Sequence, residues 1–305
     1  MNKKHMIVKI FLFKRDKKQG DIMKHARILT CILLFALSCL LCVGIAAENG
    51  GFAPGSTDVF FVSNTAGADS NAGTSASAPL KTLGKAYSKM TKGGTLVICG
   101  EVAIPNTFTP ADAGGMVIFT SVHGGKDYRD SGARLSIGGN MGFANATGFE
   151  RMNLRITASD LVFSGRHHSL YFGFDLKVTN GTGSSDFTYP TLVGGYNNPS
   201  SLNDASSAAD YTLCIRSGTW HSVFGGNRRS SASAAFGKLS GDVTVRISGG
   251  TFSGPVSASG MNVHTGRIYL GTADTPVFKD TVYGYYRYGT LPAASLRTTA
   301  KYSGG

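Results

Sequence analysis

The sequence predicts an all-β fold in which short strands stack as parallel coils and a short helix closes one end. Three observations carry this. Glycine is abundant (41 of 305 residues) and charged residues make up only 16%, a balance that suits many tight turns. Apolar runs are short, rich in β-branched and aromatic residues, and bounded by Gly, Asn, Asp and Ser. A strand–turn–strand unit recurs in the second half of the chain, and one such unit cannot bury its apolar face alone.

The first segment, residues 1–47, reads as a leader. Residues 28–47 carry no charge, Lys24 and Arg27 precede them, and Gly44, Ala46 and Ala47 close the run. This is a secretory pattern with cleavage after Ala46 or Ala47. Met23 is a better start for such a leader than Met1. A twenty-residue apolar span also satisfies a membrane anchor with a basic tail, and both readings stand. Residues 1–27 hold nine Lys/Arg and two Asp, so +7 of the net +12 lies there and the remainder carries +5. The basic residues after the leader are scattered, which argues against nucleic acid and fits acidic polysaccharide or a cell surface. Only Cys99 and Cys214 lie beyond the leader. That count excludes a disulfide framework, and both sit in apolar runs, as small buried hydrophobes do; the alternative is a single disulfide between them.

Residues 48–305 are long enough for one sizeable core. Within them, 58–104 forms a capping unit. Val59–Val62 is a strand, and a turn-rich segment follows with Gly67, Asp69, Asn71, Gly73 and Pro79. Leu80, Leu83, Ala86, Tyr87 and Met90 then recur at three- and four-residue spacing, predicting a helix over Leu80–Met90 with Lys81, Lys85 and Lys89 off its apolar face. Gly93-Gly94 ends it, and Thr95–Cys99 is a further strand. The strings Phe61-Val62-Ser63, Gly67 to Thr74 (GADSNAGT) and Ala78 to Leu83 (APLKTL) resemble the entry segment of pectin-lyase-like proteins. The resemblance covers about forty-five residues. It implies a single-stranded right-handed parallel β-helix with an N-terminal helix plugging its open end, and it spans lyases, hydrolases, epimerases and non-catalytic adhesins.

The coils are expected over 105–266. Met116–Ser121, Leu135–Ile137, an alternating run Phe149–Ile156, Leu161–Phe163 and Leu170–Phe174 are strand candidates. Val178 to Thr182 (VTNGT), Ile215 to Thr219 (IRSGT) and Ile247 to Thr251 (ISGGT) then match, their glycines Gly181, Gly218 and Gly250 lying 37 and 32 residues apart. The match predicts an inward ladder of Val178, Ile215 and Ile247. A second element, Leu192 to Asn197 (LVGGYN), matches Val223 to Asn227 (VFGGN), with Val256–Gly260 as a degenerate third copy. Residues 267–305 are expected to form a C-terminal coil or cap, with Tyr283–Tyr302 folded over the open end, or else a truncated end of something longer.

The second element supplies the candidate ligand site. It sets Tyr196 and Asn197 beside Asn227, Arg228 and Arg229 at equivalent turns, near Trp220 and His221. Aromatic rings stack on pyranose faces, and arginine pairs with carboxylates. The alternative is that Trp220 and Phe252 stack internally and the arginines are solvated. Asp175 and Lys177 share one face of their strand and suit an acid/base or ion pair, and Arg166-His167-His168 reads as a solvated edge. The Asp-Asp, Gly-His-Gly and Arg-x-Pro-x-x-Arg strings that the resemblance associates with hydrolases and lyases are absent. The expected function is a secreted or cell-surface protein that binds polysaccharide or a surface glycan without catalysis. The alternative is a lyase or glycoside hydrolase acting on an acidic glycan. No metal or cofactor is expected, except calcium if the protein is a lyase. The membrane is involved only through an uncleaved leader.

Overall fold

The computed structural model describes residues 52–228, 237, 239–260, 266–270, 276–283 and 299–302. The expectations placed on residues 1–47, and on Arg229, lie outside them. Strand is the dominant regular structure among the described residues, as expected, and almost every pairing is parallel. The exception is the short hairpin Val122–His123 with Lys126–Asp127.

The strands fall into sheets that the chain revisits in a fixed order. A nine-stranded first sheet runs in sequence order from Val59–Val62 to Thr299–Tyr302. A four-stranded second sheet holds Glu101–Ile104, Arg134–Ile137, Met152–Ile156 and Leu176–Asn180. A six-stranded third sheet begins at Met141–Gly142 and ends at Val282–Tyr283. From Tyr211 onward the second position in each circuit is taken by a three-stranded fourth sheet, Thr219–Trp220, Thr251–Phe252 and Val277–Phe278. Thr147–Glu150, Met152–Ile156 and Val162–Ser164 make one circuit, and Leu170–Phe172, Leu176–Asn180 and Thr191–Val193 make the next. Each strand pairs with its counterpart in the following circuit.

The corners explain two departures from the sequence reading. Phe149–Ile156 is not one strand. It breaks at Arg151, whose φ of 48° turns the chain from the first sheet into the second. The apolar alternation survives across the break because Phe149, Met152, Leu154 and Ile156 are all fully buried. Asp175 occupies the equivalent corner with φ 58°. It therefore does not pair with Lys177. Its carboxylate instead accepts from Arg129 Nη1 at 2.6 Å. Arg129 also holds Asp127, which keeps that carboxyl below its usual range. The pair fastens the excursion Val122–Ala133, whose Tyr128 and His123 pack edge-on against Phe61 on the outer side of the first sheet.

The helix is shorter than the periodicity suggests. Helix α1 spans Leu83–Lys89, and Thr82 caps it by accepting from the Lys85 amide. Leu80 has left the helix to bridge Val62. The buried face is as expected, with Leu83, Ala86 and Tyr87 turned into the core. Tyr87 meets Phe108 and Phe119 edge-on or tilted.

One core cluster draws inward residues from all four sheets. Its axis is a column of rings: Phe119 stacks on Phe149 at 4.9 Å, and Phe149 on Phe172 at 5.5 Å. These separations follow from the roughly 4.8 Å strand spacing once equivalent residues share a register. The column continues through Ile215 and Ile247, which pair directly and are buried. Val178 does not belong to it. Val178 lies in the second sheet opposite Leu154, and the true counterpart of Ile215 in the preceding circuit is Phe172. Gly218 and Gly250 do share a turn line, with φ of 96° and 95°, while Gly181 stands elsewhere. The Cys99 and Cys214 thiols are free.

Candidate functional site

Two surfaces carry the polar chemistry. The first is the turn line that follows the third sheet, where the repeat alignment holds. Leu192 pairs with Val223 and Val193 with Phe224. Asn197 bridges Arg228, and the Arg228 amide donates to the Tyr196 carbonyl. Gly194 and Gly225 are glycine because a Cβ on either would run into the carbonyl of the next turn. The preceding circuit adds a member where the sequence predicts a loop or solvated edge. Gly165 donates to Val193 and His167 to Gly194, so His167 stands below Tyr196 and is only 8% exposed.

The side chains of this line are tied to one another. Asn227 is 1% exposed. Its Oδ1 accepts from the Tyr196 amide at 2.7 Å and lies 2.9 Å from His167 Nε2, while its Nδ2 donates to the Ala205 carbonyl at 2.8 Å. Because Oδ1 is an acceptor, His167 Nε2 carries the hydrogen. The amide thus joins three circuits and holds helix α2 (Leu202–Ala205) against them. The Tyr196 ring is engaged by Arg166, 5.1 Å from its centroid, and by the His167 ring at 5.2 Å. Arg228 Nη1 donates to Asn197 Oδ1 at 3.3 Å.

The structure therefore brings Tyr196, Asn197, Asn227 and Arg228 together as the repeat predicts, but Asn227 faces inward. Trp220 is elsewhere. It belongs to the fourth sheet and is fully buried against Phe172 and Phe163, and its Nε1 donates to the Ser217 carbonyl. It has no exposed face on which a sugar could stack. His221 follows it at the corner leading to the third sheet, with Nδ1 3.2 Å from Ser253 Oγ.

Burial lowers the His167 pKa from 6.5, a shift opposed by the Asn227 bond, reinforced by neighbouring His168 and opposed again by Asp204. Burial also lowers His168 and His221. The folded state therefore favours neutral imidazoles. This stability is present above the unfolded value near 6.5 and is lost as pH falls through the folded values. Thermal melts are expected to stay level at neutral pH and to drop on acidification below about 6.5. His167→Gln should flatten that slope; an unchanged slope would show that His167 is not responsible.

The second surface, absent from the sequence reading, is the outer face of the second sheet. Ala103, Ser136, Arg155 and Thr179 form one row across its four strands. Glu101 pairs with Arg134, and Asn153 with Lys177. Arg134 Nη2 and Ser136 Oγ each donate to Glu101 at 2.7 Å and hold its carboxyl below the usual range. Arg155 and Lys177 make no salt bridge among the described residues. A Cβ on Gly181 would come within 2.8 Å of Arg155 Cγ and Nε, so that glycine leaves room for the arginine to lie across its turn. The face thus offers three cations, one already neutralised carboxylate and a set of amide and hydroxyl groups. The alternation that placed Asn153 and Arg155 opposite Leu154 and Ile156 was visible in the sequence; the register that aligns four such strands was not.

Among the described residues no group of three or more His, Cys, Asp or Glu side chains is placed to hold a metal ion. Searches of family models, of curated proteins and of solved structures find no match to the chain.

Proposed function

We propose that the chain is a right-handed parallel β-helix module of a secreted or cell-surface protein that binds an acidic polysaccharide without catalysis. The recurring path through the sheets supports the winding, and the charge-free residues 28–47 support export. No helix among the described residues is long and apolar enough to cross a membrane.

The observation that carries the binding reading is the pair of cations without a salt bridge among the described residues, Arg155 and Lys177, on a face whose other outward groups are Asn153, Thr179 and the Arg134–Glu101–Ser136 cluster. A polyuronate lying over these strands would pair its carboxylates with the two cations and its hydroxyls with the neutral groups. Tyr196, Asn197 and Arg228 are partly exposed but satisfy one another, so the second sheet is the favoured face. The double variant Arg155→Ala/Lys177→Ala is expected to weaken binding to polygalacturonate roughly tenfold or more, from the usual strength of charge-assisted bonds. Added salt should weaken the wild type likewise. Lys177 is exposed and Arg155 half-buried with no salt bridge among the described residues, so melting should change little. Unchanged affinity in the double variant would remove this face from the proposal. Unsaturated uronate, followed by its absorbance in the same mixtures with and without calcium, would reassign the protein as a lyase.

A further inference from the structure

A cavity of about 270 Å³ opens where the second sheet begins. Leu83, Val102 and Phe108 give it an apolar wall, and Asn106 and Thr107 stand exposed on its rim. It exists because the first sheet extends one strand further than the second, leaving Glu101–Ile104 as an edge strand. Asn64 seals half of that edge in the manner of a missing strand. Its amide donates to the Glu101 carbonyl, and its Oδ1 accepts from the Ala103 amide. By the alternation of the strand, the Ala103 carbonyl faces the same free edge, beyond the reach of Asn64 and over the cavity. No charged side chain lines the space.

We infer that this cavity is a binding site for one uncharged sugar residue. The apolar wall with Phe108 suits the C–H face of a pyranose, and the Ala103 carbonyl with the Asn106 and Thr107 side chains supplies both acceptors and donors for its hydroxyls. The absence of a cation excludes a uronate from it, and the absence of a carboxylate excludes an amino sugar held by its ammonium group. Ala103 also begins the row that continues through Ser136 to Arg155, about 10 Å away at two strand spacings. On the glycan-binding reading above, on which this extension rests, an acidic oligosaccharide with a neutral residue would place its charges over Arg155 and Lys177 and the neutral unit in the cavity.

Gly84 makes the test clean. It lines the cavity within α1, a Cβ there meets nothing within 4 Å, and its φ is ordinary. Gly84→Leu should fill the space while improving helix propensity. Methyl glycosides of neutral hexoses are titrated into the exported protein, with the backbone amide shifts of Ala103, Asn106 and Thr107 as the readout. Saturable shifts are expected for at least one glycoside. They should weaken tenfold or more in Gly84→Leu with no loss of melting temperature, and weaken also in the surface variant Asn106→Ala. The Arg155→Ala/Lys177→Ala protein should keep them, which separates this site from the charged face. If polygalacturonate fails to bind while the glycoside shifts appear and vanish in Gly84→Leu, the cavity stands and the charged face falls. Absence of shifts with every glycoside, or shifts of equal strength in Gly84→Leu, would overturn the inference.

Discussion

Phe149→Ala is expected to cost about 3–5 kcal/mol, the range for a large aromatic removed from a well-packed core. Phe149 is fully buried. It stacks on Phe119 and Phe172 and meets Phe143 and Phe163 edge-on at 5.7 and 6.0 Å. The hole cannot close easily, because the strand that carries Phe149 is fixed on both sides by its pairing with Val117–Thr120 and Leu170–Phe172. For a domain of this size the melting temperature should fall by roughly 10 °C. A loss below about 1 kcal/mol would mean that the ring column is not the axis of the core.

Asn227→Leu is the second large effect. The substitution has nearly the right volume, so packing is not the main loss. What remains is a buried Tyr196 amide and a His167 ring nitrogen, each without the Asn227 oxygen, and an Ala205 carbonyl that has lost one donor. At about 1–3 kcal/mol for each buried group left unpaired, a total of roughly 3 kcal/mol or more is expected. Urea denaturation gives the number, and hydrogen exchange at the Tyr196 amide shows whether the loss is local. A nearly neutral result, with Tyr196 still protected, would mean that water replaces the amide and that the three circuits do not depend on it.

The sequence made the fold legible where chemistry repeats at matching positions. Ile215 and Ile247 were found because both precede a turn with a glycine at positive φ and a threonine that opens the next strand. Val178 was misplaced for the same reason. Val178-Thr179-Asn180-Gly181-Thr182 has the same local form, but its strand belongs to the second sheet, and nothing in five residues says which corner they serve. The longer loop that follows, containing α2, displaced the spacing that would have exposed the error. Trp220 reads as a sugar platform because it is an aromatic close in sequence to Asn227 and Arg228, and aromatic rings stack on pyranose faces. Its inward direction depends on parity along a two-residue strand, which a sequence scarcely fixes. Asn227 reads as a surface ligand because the repeat places it at a turn equivalent to that of Tyr196 and Asn197, while the partners that draw it inward stand 22, 31 and 60 residues away. The charged face of the second sheet was half legible: each strand alternates, but only register lines up Ser136, Arg155 and Thr179. The cavity was not legible, since it arises from a strand that one sheet has and its neighbour lacks.

The burial of Trp220 has a spectroscopic consequence. It is the chain's single tryptophan. Fully enclosed between Phe172 and Phe163, it should emit at short wavelength in the native protein and shift to the red only when its own circuit opens. In a stack where each circuit holds mainly to its neighbours, opening need not begin at the same place under every condition. Tryptophan emission would then report the Tyr211–Phe224 circuit, while loosening of α1 at the other end would leave it unchanged. Comparing emission with far-ultraviolet circular dichroism through one melt thus measures how far a disturbance at one end travels along the stack.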